Sequence, residues 1–319
     1  MKVIVTGRIP AAGIDMLRAE HDVTSWDSTE LVSRAELLDR VVGAEAIISL
    51  LTERIDAELL DAAGPQLQVV SNVAVGYNNI DTVACHERDI IVTNTPGVLT
   101  DATADIAMAL ILMSTRRLGE GERTIRSGQP WQWGMFYMLG MSLQGRRLGI
   151  VGMGQIGAAL ARRAKAFGMT IAYSNRSPVA TEIATELGCA RVDMDELLTT
   201  SDVVSLHCPY SPDTHHLIGA AQLAAMPTTA FLINTARGPV VDEAALAAAL
   251  SSGQIAGAGL DVFENEPTVH ADLLHLDNVV LIPHLGSATV EARTAMATLA
   301  ATNTLAVLGG HPAPNPISR

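Results

Sequence analysis

Short runs rich in Val and Ile recur through the first hundred or so residues: KVIVTG, AEAIISLL, LQVVSNVAV and IIVTNT. Between them lie stretches with helical apolar spacing at residues 11–19, 34–42 and 57–63. Strand-length apolar runs alternating with helical stretches predict βαβ units and a parallel sheet. A second series opens near Arg147 and reads RLGIVG, MTIAYS, DVVSLHCP, TTAFLINTA, IAGAGLDV and VVLIPH, with helical segments between most of its members. It predicts a second parallel sheet. The expected fold is α/β, with two doubly wound, Rossmann-like parallel-sheet domains. Residues 103–128 open DATAD, stop at RSGQP, and read as one long helix crossing between the domains. After Pro283 the pattern returns to helix over residues 289–308, expected to pack back on the first domain, and closes on GGHPAPNP.

Composition narrows the functional classes. A length of 319 residues suits two α/β domains of ordinary size, roughly 100–200 residues each. Hydrophobic residues at 48% against charged residues at 17% argue against disorder, and no apolar run approaches the roughly 20 residues of a membrane span. The start, MKVIVTGRIP, has no leader pattern, so the cytoplasm is the expected location. A net charge of -13 opposes binding to nucleic acid or anionic membranes, and any anionic ligand then needs a local basic pocket. Cys85, Cys189 and Cys208 are scattered without a CxxC, which fits reduced thiols rather than a disulfide frame or a zinc site. His270 and His275 lack metal-ligand spacing with any acid cluster, and no metal is expected.

The first chemical motif is GMGQIG, residues Gly152, Met153, Gly154, Gln155, Ile156 and Gly157, between the strand-like LGIV and a helical stretch. That context suits a dinucleotide fingerprint: the glycines permit a tight turn, close approach of a pyrophosphate, and helix-to-strand packing. Three later segments each follow a strand-like run: INTARG with Arg237, GLDVFENEP with Glu266, and LIPHLGS with His284. Residues beyond strand C-termini of a parallel sheet gather at the ligand crevice. There a guanidinium can fork onto a substrate carboxylate. A protonated His can donate to a carbonyl oxygen as hydride reaches the carbon, with a carboxylate raising its pKa and fixing its orientation. Taken singly, Glu266 reads as a solvated loop acid, Arg237 as a surface ion-pair residue and His284 as a packing histidine. Their joint occurrence favours catalysis.

These segments, with NVAVGYNNID and TPGVLTDATAD, resemble the D-2-hydroxyacid dehydrogenase family over essentially the whole chain, most closely its glyoxylate/hydroxypyruvate reductases. The resemblance implies a substrate-binding domain of residues 1–99 completed by 286–319, a Rossmann domain of residues 100–285, and an active site in the cleft between them. It implies that Arg237 binds substrate, His284 is the acid/base and Glu266 supports it. Backbone amides at Val75 and Gly76 would hold the substrate carboxylate, and Asp261 would lie near the nicotinamide. Cys208, Pro209 and Thr214, on the loop that continues to His215 and His216, would line the cofactor with Thr235, Ala236 and Gly286. The chain also stops at Arg319 without the regulatory domain of some phosphoglycerate dehydrogenases. A nucleotide-sensing corepressor of the same fold is the rival from another class, and the intact triad counts against it. An NAD-dependent dehydrogenase of a larger 2-oxoacid is the rival enzyme.

Cofactor choice and assembly are read from two further segments. NAD enzymes place an acid roughly 20 residues after the glycines to bind the ribose hydroxyls. No Asp or Glu occurs from Ala158 through Thr181, and MTIAYS runs instead into Asn175, Arg176 and Ser177. A pocket of Ser174, Asn175, Arg176 and Ser177 suits a 2′-phosphate, so NADPH is expected over NADH. WQWGMFYM, residues 131–138, concentrates aromatics in a chain with only 3% of them. It reads either as core or as an intersubunit contact. The family resemblance favours a homodimer in which Trp133 bounds the partner's substrate pocket.

Overall fold

The computed structural model describes residues 1–128 and 130–317. Gln129, within the expected RSGQP stop, and Ser318 and Arg319, at the end of the expected 286–319 segment, lie outside the described residues. Two compact units divide the chain, Met1–Leu99 with Ala288–Arg319, and Thr100–Ser287. The chain re-enters the first unit at Ala288.

In the first unit five parallel strands run in the order β2-β1-β3-β4-β5. They are β1 (Lys2–Val5), β2 (Asp22–Ser25), β3 (Ala46–Ser49), β4 (Val69–Asn72) and β5 (Ile91–Thr93). Ile4, Ile47, Val70 and Val92 stand in register across four of them and are buried in one cluster. Helices Ala11–Arg18, Arg34–Arg40 and Ala57–Ala63 occupy the expected stretches, the last two capped by Ser33 and Asp56 on backbone N–H groups. The final helix, Val290–Leu308, belongs to this unit: Thr304 hydrogen-bonds Ser71 of β4 at 2.8 Å, and a Cβ on Gly13 would come within 2.6 Å of the Ala297 carbonyl. β2 was not in the expected series. Its DVTS carries little apolar signal, and it forms because the edge of β1 offers it a ladder.

Seven parallel strands build the second unit, in the order β12-β11-β10-β9-β6-β7-β8. These are β6 (Arg147–Val151), β7 (Thr170–Ser174), β8 (Ala190–Arg191), β9 (Val203–Leu206), β10 (Phe231–Asn234), β11 (Gly257–Leu260) and β12 (Val279–Leu281). β8, two exposed residues, is again an edge addition without a sequence signal. The order reverses at β6, which lies between β7 and β9, the topological switch where such sheets bind ligands.

Residues 103–128 are not one helix but two, Thr100–Thr115 and Leu118–Arg126. The first buries Ala104, Ala107, Leu110 and Ile111, and the second buries nothing. The break comes from a distant segment: the Met141 N–H donates to the Thr115 carbonyl at 2.7 Å, and Gly140 packs so close that a Cβ would lie 2.4 Å from that same oxygen. Arg117 then turns into the left-handed region, with φ of 53°. No helix among the described residues is long and apolar enough to cross a membrane.

Candidate active site

The chemistry of the second unit collects at one edge of its sheet. Gly152 follows β6, Asn175 follows β7, Cys208 follows β9, Thr235 follows β10, Asp261 follows β11 and His284 follows β12. All are C-terminal ends of parallel strands.

Gly152 adopts φ of 93° and lies so near the chain after β9 that a Cβ would sit 2.5 Å from the Cys208 nitrogen. At Gly157 a Cβ would meet the Gly152 carbonyl at 2.7 Å, so this glycine lets helix Gln155–Ala166 close onto β6. Gly154 differs: a Cβ there would meet nothing within 4 Å, and the helix it opens has no side-chain cap. An uncapped helix N-terminus facing open space fits a pyrophosphate, whose charge the first N–H groups and the helix dipole favour. Met153 is buried beneath the turn, while Gln155 is exposed and Ile156 half-buried at its rim.

Asn175 is occupied structurally, its Oδ1 accepting from the Met153 N–H at 2.6 Å and its Nδ2 donating to the Met153 carbonyl at 3.3 Å. It braces the glycine turn, which leaves Arg176 and Ser177, both exposed, and half-buried Ser174 as the open part of the expected phosphate pocket. Sequence reasoning missed Arg191 on β8, whose guanidinium donates to the carbonyls of Asn175 and Arg176, each at 2.9 Å, and so fixes this loop.

The three expected catalytic residues come together. Glu266 Oε2 lies 2.8 Å from His284 Nδ1, while its Oε1 accepts from the Phe263 N–H at 3.0 Å. Burial raises the Glu266 pKa, but the His284 hydrogen bond and charge, the Phe263 N–H and the Arg237 charge outweigh it, leaving the carboxyl below its usual range. Glu266 is therefore an anion at neutral pH. With Nδ1 on Glu266, His284 Nε2 has no partner among the described residues, and the side chain is about one-third exposed, at 32%. Arg237 is largely enclosed; burial lowers its pKa and the Glu266 charge opposes that, so it keeps its charge. A fixed cation and an imidazole oriented by a carboxylate can hold an anionic carbonyl compound and pass a proton to its oxygen.

The local structure explains this geometry. Buried Asn234 spans the Arg237 turn, accepting from the Ala236 N–H at 3.0 Å and donating to the Arg237 carbonyl at 3.0 Å. Gly238 is forced, because a Cβ would fall 1.8 Å from the Phe263 carbonyl carbon. Asp261, expected beside the nicotinamide, spends both oxygens on the loop of the histidine, accepting from the Leu285 N–H at 2.5 Å and the Gly286 N–H at 2.8 Å. His284, in the left-handed region at φ of 50°, donates its own N–H to the Asp261 carbonyl at 2.8 Å. Asn234 lies inside INTARG, and only its polar character at a strand end could have hinted at it; Asp261 was expected at the site, without its hold on this loop.

Thr235 and Ala236 line the buried part of the turn after β10. Behind Thr235 sits His207, bonded to Ser205 at 2.8 Å and pushed down to about 4 by burial, hence neutral. Burial also raises the Cys208 thiol to about 11, so it is no thiolate at neutral pH. Pro209 and Thr214 belong to one loop, the Thr214 hydroxyl donating to the Pro209 carbonyl at 2.9 Å. His216 bonds Glu264 and stacks on His215 at 4.0 Å. In the first unit, Asn94 and Asn72 hold the carbonyls of Val75 and Gly76 at 2.8 and 2.9 Å, and the two N–H groups have no partner among the described residues. Trp133 is 73% exposed and Phe136 89%, so residues 131–138 are not core of this chain.

Such a glycine turn and uncapped helix at a switch point define a dinucleotide-binding unit. The family model described as "D-isomer specific 2-hydroxyacid dehydrogenase, NAD binding domain" matches residues 108–286. The chain belongs to that family, and is an oxidoreductase with a nicotinamide-cofactor domain. It is 48% identical to a glyoxylate reductase of Thermococcus onnurineus, covering 100% of this chain and 96% of the relative. A glyoxylate reductase of Korarchaeum cryptofilum is 47% identical with the same coverage. Among solved structures, an NADPH-dependent glyoxylate/hydroxypyruvate reductase from Sinorhizobium meliloti, in complex with NADP and malonate, superposes with a TM-score of 0.85 at 35% identity, covering 99% of this chain and 96% of that one.

Proposed function

We propose that this protein reduces small 2-oxoacids with NADPH, glyoxylate to glycolate and hydroxypyruvate to D-glycerate. The observation that carries the reading is the His284–Glu266 hydrogen bond at 2.8 Å with the Arg237 charge acting on the same carboxylate. Arg237 holds the substrate carboxylate, and the amides of Val75 and Gly76 are the first unit's candidates for binding an anion. The nicotinamide supplies the hydride. His284 delivers a proton from Nε2 to the carbonyl oxygen, while anionic Glu266 holds the ring through Nδ1. Gly152, Met153, Gly154, Gln155, Ile156 and Gly157 cradle the pyrophosphate. Thr235, Ala236, Cys208, Pro209, Thr214 and Gly286 line the rest of the cofactor, with Asp261 acting through the loop it holds. Arg176, with Ser174 and Ser177, takes the 2′-phosphate, and Asn175 keeps the turn in shape behind them. The absence of an acid from Ala158 through Thr181 supports NADPH, as does the NADP in the Sinorhizobium enzyme. The working form is a homodimer, with Trp133 at the partner's substrate pocket.

Adding glyoxylate or hydroxypyruvate to protein and NADPH should oxidise the cofactor rapidly. Negligible oxidation with both acids would reject the reading in favour of a sensor. His284→Ala should lower kcat by about 100-fold or more, the range for general acid catalysis being roughly 10²–10⁴, while NADPH binding survives. Near-normal turnover would remove His284 from the reaction.

A further inference from the structure

A second carboxylate network lies beside the catalytic one, and the steps proposed above do not use it. Glu243, the first residue of helix Glu243–Ser251, is 4% exposed. Its Oε1 accepts from the Glu264 N–H at 2.6 Å and its Oε2 from the His270 N–H at 3.2 Å. Glu264 replies, its Oε2 accepting from the Glu243 N–H at 3.1 Å while its Oε1 meets His216 Nε2. His216 in turn donates its backbone N–H to the Pro239 carbonyl at 2.8 Å. Glu266 lies between the two N–H groups that Glu243 grips, and Pro239 follows the Arg237–Gly238 turn. The charged and titratable groups facing this network are His216, Asp242 (3.9 Å from His216 Nδ1), His215 stacked on His216, and His270.

We infer that Glu243 is a positioning residue for the reaction: by clasping both ends of the segment Glu264–His270 it holds the Glu266 carboxylate against His284. The inference rests on the role proposed above for Glu266. A buried carboxylate accepting backbone N–H groups on either side of a loop removes the loop's freedom to swing. Without it, Glu266 spends less time within 2.8 Å of His284 Nδ1. Because Glu266 is read as the group that orients His284, the displacement that Glu266→Gln causes in the pH dependence of kcat sets the direction. Loosening Glu266 moves that dependence in the same direction.

The test compares kcat-against-pH profiles and melting temperatures for wild type, Glu243→Ala, Glu243→Gln, Glu266→Gln and the double variant Glu243→Ala/Glu266→Gln, with NADPH and glyoxylate. Glu243→Ala should move the midpoint in the same direction as Glu266→Gln and by less. Glu243→Gln, which keeps one acceptor oxygen, should recover part of it, and the double variant should move no further than Glu266→Gln alone. A lowered melting temperature in Glu243→Ala with the wild-type midpoint would leave Glu243 a purely structural residue and overturn the inference. So would an additional displacement in the double variant. If Glu266→Gln itself leaves the midpoint unmoved, the role of Glu266 fails instead. Should Glu243→Ala not fold, Glu264→Gln, half-buried, weakens the same clasp and must move the midpoint in the same direction for the inference to stand.

Discussion

Arg176 shows how much of cofactor choice hangs on one side chain. It is exposed after β7, where an acid would hold the ribose of NAD, and its backbone is held by Arg191. If it grips the 2′-phosphate, Arg176→Ala loses charge-assisted hydrogen bonds worth roughly 1.5–3 kcal/mol. The kcat/KM for NADPH should then drop about 10- to 150-fold while that for NADH hardly changes. Equal losses with both cofactors, or a wild type that prefers NADH, would show that the loop has another purpose. That Arg237, Glu266 and His284 would gather at one end of the sheet was legible in sequence because each follows a strand-like run. The supporting Asn234 and Glu243 were not, nor was the hold of Asp261 on the His284 loop, since a polar residue at a strand end or helix start is ordinary until its partners are known.

At the scale of elements, the turn after β10 and the loop after β11 touch backbone to backbone at Gly238. Gly238→Ala puts a methyl 1.8 Å from the Phe263 carbonyl carbon, and overpacking of rigid backbone costs typically 1–3 kcal/mol. For a protein of this size that is a fall in melting temperature of roughly 1.5–5 °C. Because Arg237 and Glu266 ride on the two separated segments, kcat/KM should fall as well. An unchanged melting temperature and turnover would mean that the segments part freely. The helical segment at residues 103–128 carries the complementary lesson. Its local pattern was continuous, and the break at Arg116–Arg117 comes from Gly140 and Met141, residues no window over the helix could include.

For the whole molecule, the apolar segment at residues 131–139 stands exposed. Trp131, Trp133, Met135, Phe136 and Leu139 are all more than half exposed, and contiguous apolar surface of this kind marks association sites. Sedimentation should show a dimer. Phe136→Glu should weaken it about 100-fold or more, each buried Phe being worth roughly 1.5–3 kcal/mol and counting twice across a symmetric interface. A stable, fully active monomer in the wild type would reject both the dimer and the place given to Trp133.

Periodicity determined the class and order of the elements, since burial of one face of a strand or helix writes a repeat of two or 3.6 residues into the chain. It carried the two sheets, while the motifs at strand ends carried the glycine turn and the candidate site. What it did not carry was whatever depends on a partner far along the chain. The edge strands β2 and β8 form because a neighbouring strand offers unpaired N–H and C=O groups. The helix break at Arg117, the loop clasped by Asp261 and the Glu243–Glu264 network likewise join residues whose spacing in sequence has no period. Tertiary structure alone brought them together, because a buried hydrogen-bonding group must find its partner wherever the fold places one.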